Sequence, residues 1–98
     1  MEFQTIIVQE HNAVGYLTLN RPQQLNSFNE TMHHEVSKVM QQWTQNPQIR
    51  AVVITGYGRG FCAGQDLSEV ELVPGQKPDL TITLEQNYNP FIRRLRKI

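Results

Sequence analysis

Apolar and polar side chains alternate from Phe3 to Gln9, with Thr5, Ile6, Ile7 and Val8 supplying β-branched residues, and this pattern predicts a strand. His11-Asn12-Ala13 reads as a turn. Val14 to Asn20 resumes as a second strand, so the chain is expected to open with a β-hairpin. Asn20-Arg21-Pro22 ends it, because proline cannot donate to a sheet ladder and restricts the residue before it.

Asn29 is a good helix N-cap, and Glu30 follows where negative charge suits the helix dipole. Met32, Val36, Val39, Met40 and Trp43 fall at offsets 0, 4, 7, 8 and 11, which is one face of an α-helix. This stripe reads as core packing rather than a cofactor box, and Asn46-Pro47 stops the helix. The uninterrupted run Ala51-Val52-Val53-Ile54 predicts a strand buried on both faces, as in a parallel sheet. Hairpin, helix and buried strand make an α/β pattern.

Gly56-Tyr57-Gly58-Arg59-Gly60 holds three glycines in five residues and must be a loop. The stretch around Val73-Pro74-Gly75-Gln76-Lys77-Pro78 is a second one. Asp79 or Thr81 is then expected to cap a last helix whose face carries Leu84, Tyr88, Ile92 and Leu95, with Pro90 kinking it or starting a new turn. Its apolar face runs into the terminus, which reads as a chain cut in mid-domain.

Composition narrows the picture. A chain of 98 residues makes one small domain at most, with a marginal core. Nine basic and nine acidic residues cancel, leaving no long-range field to attract nucleic acid or an anionic membrane. A hydrophobic fraction of 39% argues against disorder. Cys62 is the one cysteine, so no intrachain disulfide forms, which fits a reducing cytoplasm. Met1 to Gln9 have neither the basic start nor the apolar run of a secretion signal, and no apolar stretch approaches the roughly 20 residues that cross a bilayer. The expectation is a soluble, cytoplasmic protein.

Strand, glycine loop and small-residue turn together place bare backbone N–H groups at the carboxyl end of a strand, where ligands of α/β sheets bind. Such N–H groups hold a phosphate, a carboxylate or a developing oxyanion. A dinucleotide fingerprint would need a third glycine where Phe61 stands, and no G-x-x-x-x-G-K-[ST] loop is present. An oxyanion pocket for a thioester carbonyl is the other reading.

At this point the residues resemble a known family. Arg50-Ala51-Val52-Val53-Ile54-Thr55-Gly56 followed by Gly60-Phe61-Cys62-Ala63-Gly64-Gln65-Asp66-Leu67 looks like the signature of the crotonase (enoyl-CoA hydratase/isomerase) superfamily. Leu19-Asn20-Arg21-Pro22 with Leu25-Asn26-Ser27-Phe28 is similar to the family's upstream element. The resemblance covers essentially the whole chain and implies that residues 1–98 are the N-terminal portion of a crotonase-type ββα spiral fold.

It implies further that the Gln65 backbone N–H is the first oxyanion donor, its side chain taking no necessary part. Ala63, Asp66 and Leu67 would help form the coenzyme A channel, and Gln23, Gln24 and Leu25 would close over the same cofactor. Coenzyme A would enter as part of an acyl-CoA thioester substrate, with no permanently bound cofactor and no metal. The family's second donor and its acid/base carboxylates lie beyond residue 98, so the 98 residues alone are expected to be inactive. Full-length members assemble as trimers or hexamers. Asp79, Leu84, Glu85, Tyr88-Asn89-Pro90 and Arg93-Arg94-Leu95 look like those of isomerases in bacterial phenylacetate breakdown. A general enoyl-CoA hydratase is the alternative, and a non-catalytic fragment holding coenzyme A is another.

The remaining polar residues have plainer readings. Asp66 reads as a helix cap rather than a proton carrier, and Glu69 and Glu71 as a solvated face. His11, His33 and His34 lack metal-ligand spacing with Cys62 and read as surface residues. Cys62 reads as a small packed hydrophobe. Arg93, Arg94, Arg96 and Lys97 suit a helix C-terminus better than nucleic acid.

Overall fold

A computed structural model describes residues 2–66 and 81–98. Strand β1 (Ile6–His11) and strand β2 (Val14–Leu19) pair antiparallel, from Ile6 opposite Leu19 to His11 opposite Val14. Only Asn12 and Ala13 remain for the turn, both at positive φ (51° and 68°), the twist that suits a two-residue hairpin. The ladder begins later than the alternation predicts. Glu35 captures the chain first, its carboxylate accepting from the Gln4 and Thr5 N–H groups at 2.7 and 2.8 Å.

Helix α1 (Glu30–Gln45) starts where its cap places it, with the Asn29 side chain accepting from the Met32 N–H at 2.9 Å. It ends at Asn46, before Pro47. Met32, Val36, Val39, Met40 and Trp43 are all buried, as their spacing predicts, against Ile6, Leu17, Leu19 and Phe28. Trp43 lies over Gly15, where an added Cβ would sit 2.7 Å from the indole ring. The indole N–H donates to Glu10 at 3.0 Å.

Strand β3 (Ala51–Gly56) runs parallel to β2, from Val14 opposite Ala51 to Leu19 opposite Gly56, so the sheet order is β1-β2-β3. The parallel pairing is as expected; burial on both faces is not. Val52 and Ile54 pack toward the core, while Ala51 and Val53 are exposed. The helix lies on one face, and β3 is an edge among the described residues, so an unbroken apolar run gains only one covered side.

Helix α2 (Thr81–Thr83), a π-helical turn (Leu84–Tyr88) and helix α3 (Asn89–Leu95) follow one another. The proline explains the wide turn. Pro90 has no N–H to continue an α-ladder, and just before it the Asn89 N–H reaches back five residues to the Leu84 carbonyl. The packed face is Tyr88, Phe91, Leu95 and Ile98, whereas Leu84 and Ile92 are exposed, which corrects the expected stripe. Steps of three and four from Tyr88 both fit a helix, and the extra residue of the π turn shifts the phase. The Arg94 guanidinium donates to Ser37 at 2.9 Å and ties α3 to α1. No helix among the described residues is long and apolar enough to cross a membrane.

Candidate active site

Two segments distant in sequence meet at the carboxyl end of β3. Asn26 joins them. Its side chain is wholly buried, donates to the Tyr57 and Gly60 carbonyls at 3.0 and 2.9 Å, and accepts from the Arg21 N–H at 2.7 Å. Arg21 donates to the Ser27 carbonyl and pairs with Asp66 at 2.9 Å, both side chains largely shielded. The Ala63 N–H donates to the Leu25 carbonyl at 2.9 Å. Leu25 holds a left-handed φ of 52°, a conformation that costs a branched side chain about 1–2 kcal/mol and is kept where surroundings enforce it.

Phe28 and Gln65 form a parallel bridge. The Phe28 N–H donates to the Gly64 carbonyl and the Asp66 N–H to the Phe28 carbonyl, each at 2.7 Å. In this pattern the residues flanking Gln65 supply both bonds, so its own N–H turns to the opposite side. That N–H has no acceptor among the described residues. Gly64 makes the approach possible with φ at 113°, a region that a side chain rarely enters.

A cavity of about 380 Å³ opens beside this loop, lined by Leu25, Arg59, Gly60, Phe61, Cys62 and Ala63. Phe61 and Cys62 also wall a second, wholly apolar cavity of about 230 Å³ between the sheet and α3. An open space edged by Arg59 thus adjoins a wholly apolar one across two residues. Among the described residues no three His, Cys, Asp or Glu side chains are grouped to hold a metal ion.

A family model described as enoyl-CoA hydratase/isomerase matches residues 9–97. The chain belongs to the enoyl-CoA hydratase/isomerase family. It is 46% identical over its whole length to a 1,2-epoxyphenylacetyl-CoA isomerase of Escherichia coli, of which it spans 37%. A probable enoyl-CoA hydratase of Mycobacterium bovis is 40% identical over 71% of the chain and 27% of that protein. Among solved structures, an enoyl-CoA hydratase from Mycobacterium marinum superposes with a TM-score of 0.71 at 32% identity, over 93% of this chain and 42% of that one. The fold expected from the motifs, the N-terminal part of a crotonase, is therefore the fold observed.

Within this member of the family, the residues expected at the site are distributed unevenly. Leu25 and Ala63 line the first cavity, and Gln65 and Asp66 lie next along the loop. Gln23 and Gln24 sit exposed on the 3-10 turn Pro22–Gln24 and do not line it. Leu67 lies outside the described residues, as do Glu69, Glu71, Asp79 and the loop around Val73. Asp66 is tied to Arg21 by an ion pair that its reading as a helix cap did not include. Arg59 and Phe61 were not singled out; one cation and one large apolar side chain amid glycines were the available signal.

His33 is the clearest correction. It is buried at 6% exposure, not on the surface, and its Nε2 lies 2.9 Å from Gln65 Oε1. Helical spacing places residue 33 one step beside the apolar stripe, where a polar partner across the boundary draws it inward. His11 and His34 are exposed as expected. Cys62 packs against the core, its sulfur 3.4 Å from the Gly64 N–H.

Tyr88 donates to the same Gln65 oxygen at 2.6 Å. Burial first, and the charge of Cys62 second, push its phenol from 10.0 to about 12. The folded value lies above the unfolded one, so the stability it lends is complete below pH 10 and is lost as pH rises through about 12. Of the chain's three tyrosines, Tyr88 should give a late phenolate step near pH 12 in an ultraviolet titration. Tyr88→Phe should delete that step; its persistence would show that another tyrosine carries it.

Proposed function

We propose that the protein carrying this chain is an acyl-CoA isomerase that works through a thioester enolate, with the Gln65 backbone N–H as one oxyanion donor. The observation that supports it is the orientation of that N–H, turned away from the Phe28 bridge and left without an internal acceptor among the described residues. A base removes a proton from the carbon next to the thioester of a 3-enoyl-CoA. The electron pair moves into the carbonyl, the oxygen gathers negative charge, and the donor stabilises it. Collapse of the dienolate with protonation at the far carbon yields the 2-enoyl isomer. The base and a second donor belong to parts of the protein outside residues 1–98.

The substrate we propose is 2-(1,2-epoxy-1,2-dihydrophenyl)acetyl-CoA, in phenylacetate degradation, by likeness to the Escherichia coli isomerase. Coenzyme A would lie against the open cavity beside Leu25 and Ala63, and the acyl group toward the apolar one. Enoyl-CoA hydratase is the second reading, favoured by the hydratase names of the mycobacterial relatives. The purified protein should be offered this epoxide thioester, a 3-enoyl-CoA and a 2-enoyl-CoA, with the products separated from substrate by liquid chromatography and weighed by mass spectrometry. Isomers of unchanged mass support the proposal. A 2-enoyl-CoA that gains one water supports the hydratase instead, and no turnover of any of the three rejects both.

A further inference from the structure

Gln65 is held by its side chain as well as its backbone. Its Oε1 accepts from the Tyr88 hydroxyl at 2.6 Å and meets His33 Nε2 at 2.9 Å. An amide oxygen only accepts, so His33 carries a proton on Nε2 and both contacts are donations into one atom. The two donors stand on different elements, His33 on α1 and Tyr88 at the end of the π turn. Their rings meet edge to face with centroids 4.5 Å apart. Phe28, whose backbone brackets Gln65, packs against both rings at 4.9 and 5.7 Å. Main chain and side chain of residue 65 are thus gripped by one aromatic cluster.

The peptide before Gln65 needs such a grip. Gly64 has no Cβ to restrict it, and a Cβ built there would find nothing among the described residues within 4 Å. Among the described residues nothing packs on that side, so the peptide is held by the Phe28 N–H on its Gly64 carbonyl together with the grip on the Gln65 side chain. An oxyanion donor acts only when it lies about 2.7–3.1 Å from the charge that develops, so a small rotation removes most of its effect.

We infer that His33 and Tyr88 are positioning residues that act through the Gln65 amide to keep the Gln65 N–H aimed at the thioester oxygen. The inference rests on the proposed use of that N–H as an oxyanion donor. In the whole protein, Tyr88→Phe keeps the ring and removes one donor. It should lower kcat on an enoyl-CoA roughly three- to tenfold, the effect of one ordinary hydrogen bond, with KM nearly unchanged. In a Gln65→Ala background the same change should do nothing more, because the shared acceptor is gone. His33→Gln, which keeps an N–H donor, should retain more kcat than His33→Leu.

An unchanged kcat in folded Tyr88→Phe would overturn the inference, as would effects that multiply in the double variant. Relaxation of the Gln65 backbone amide, measured by nitrogen-15 NMR, gives a reading that needs no turnover. It should be rigid in the wild type and more mobile in Tyr88→Phe and His33→Leu. A wild type without enoyl-CoA turnover would sink the proposed function, and the grip would then stand or fall on relaxation alone. Unchanged relaxation in both variants would overturn it.

Discussion

Asn26→Asp should destabilise the protein by about 2–4 kcal/mol, although it changes the side chain by one atom. The native amide donates from one nitrogen to two carbonyls, Tyr57 and Gly60, in a position with no exposure to water. A carboxylate has no hydrogen to offer there. It would place negative oxygen against both carbonyl oxygens, and even when protonated it could satisfy only one of them. The acceptor side would survive, since an aspartate oxygen still receives the Arg21 N–H. Left-handed φ at residue 26, at 58°, is tolerated by Asp nearly as well as by Asn, so backbone strain does not confuse the result. Denaturant unfolding measures the loss. A change below about 0.5 kcal/mol would mean that the two carbonyls find other donors and that Asn26 does not hold the loops together.

That residue also marks where sequence reading stops. The hairpin, the cap at Asn29 and the stripe from Met32 to Trp43 are local patterns, and local hydrogen bonding and burial bear them out. The motif containing Asn26 was visible, yet its work was not, because its partners stand 31 and 34 residues away. Periodicity shows which side of an element is apolar but not how many layers cover it. For this reason β3 was expected to be buried twice and is covered once. The stripe expected through Leu84, Tyr88, Ile92 and Leu95 assumes an unbroken α-helix, and the π turn before Pro90 moves the packed face to Phe91. His33 looked like one of three scattered histidines. Only the return of the chain at Gln65 turns it into half of a pair of donors.

Replacing the amide of residue 65 with an ester should cost about 100- to 1,000-fold in kcat, the usual effect of losing one oxyanion donor. The exchange swaps N–H for oxygen and leaves the Gln65 side chain with its partners His33 and Tyr88. No internal hydrogen bond of that N–H is broken among the described residues, so the rate loss should not come with unfolding. One side effect is expected. The ester weakens the Gly64 carbonyl as an acceptor for the Phe28 N–H, now at 2.7 Å, at a cost below about 1 kcal/mol. Stability and rate therefore separate the two roles of this peptide. A stability loss of that size with kcat down at least 100-fold assigns the N–H to the reaction. The same stability loss with kcat within threefold of the wild type would mean that charge develops elsewhere in the pocket, and the oxyanion reading of Gln65 would fail.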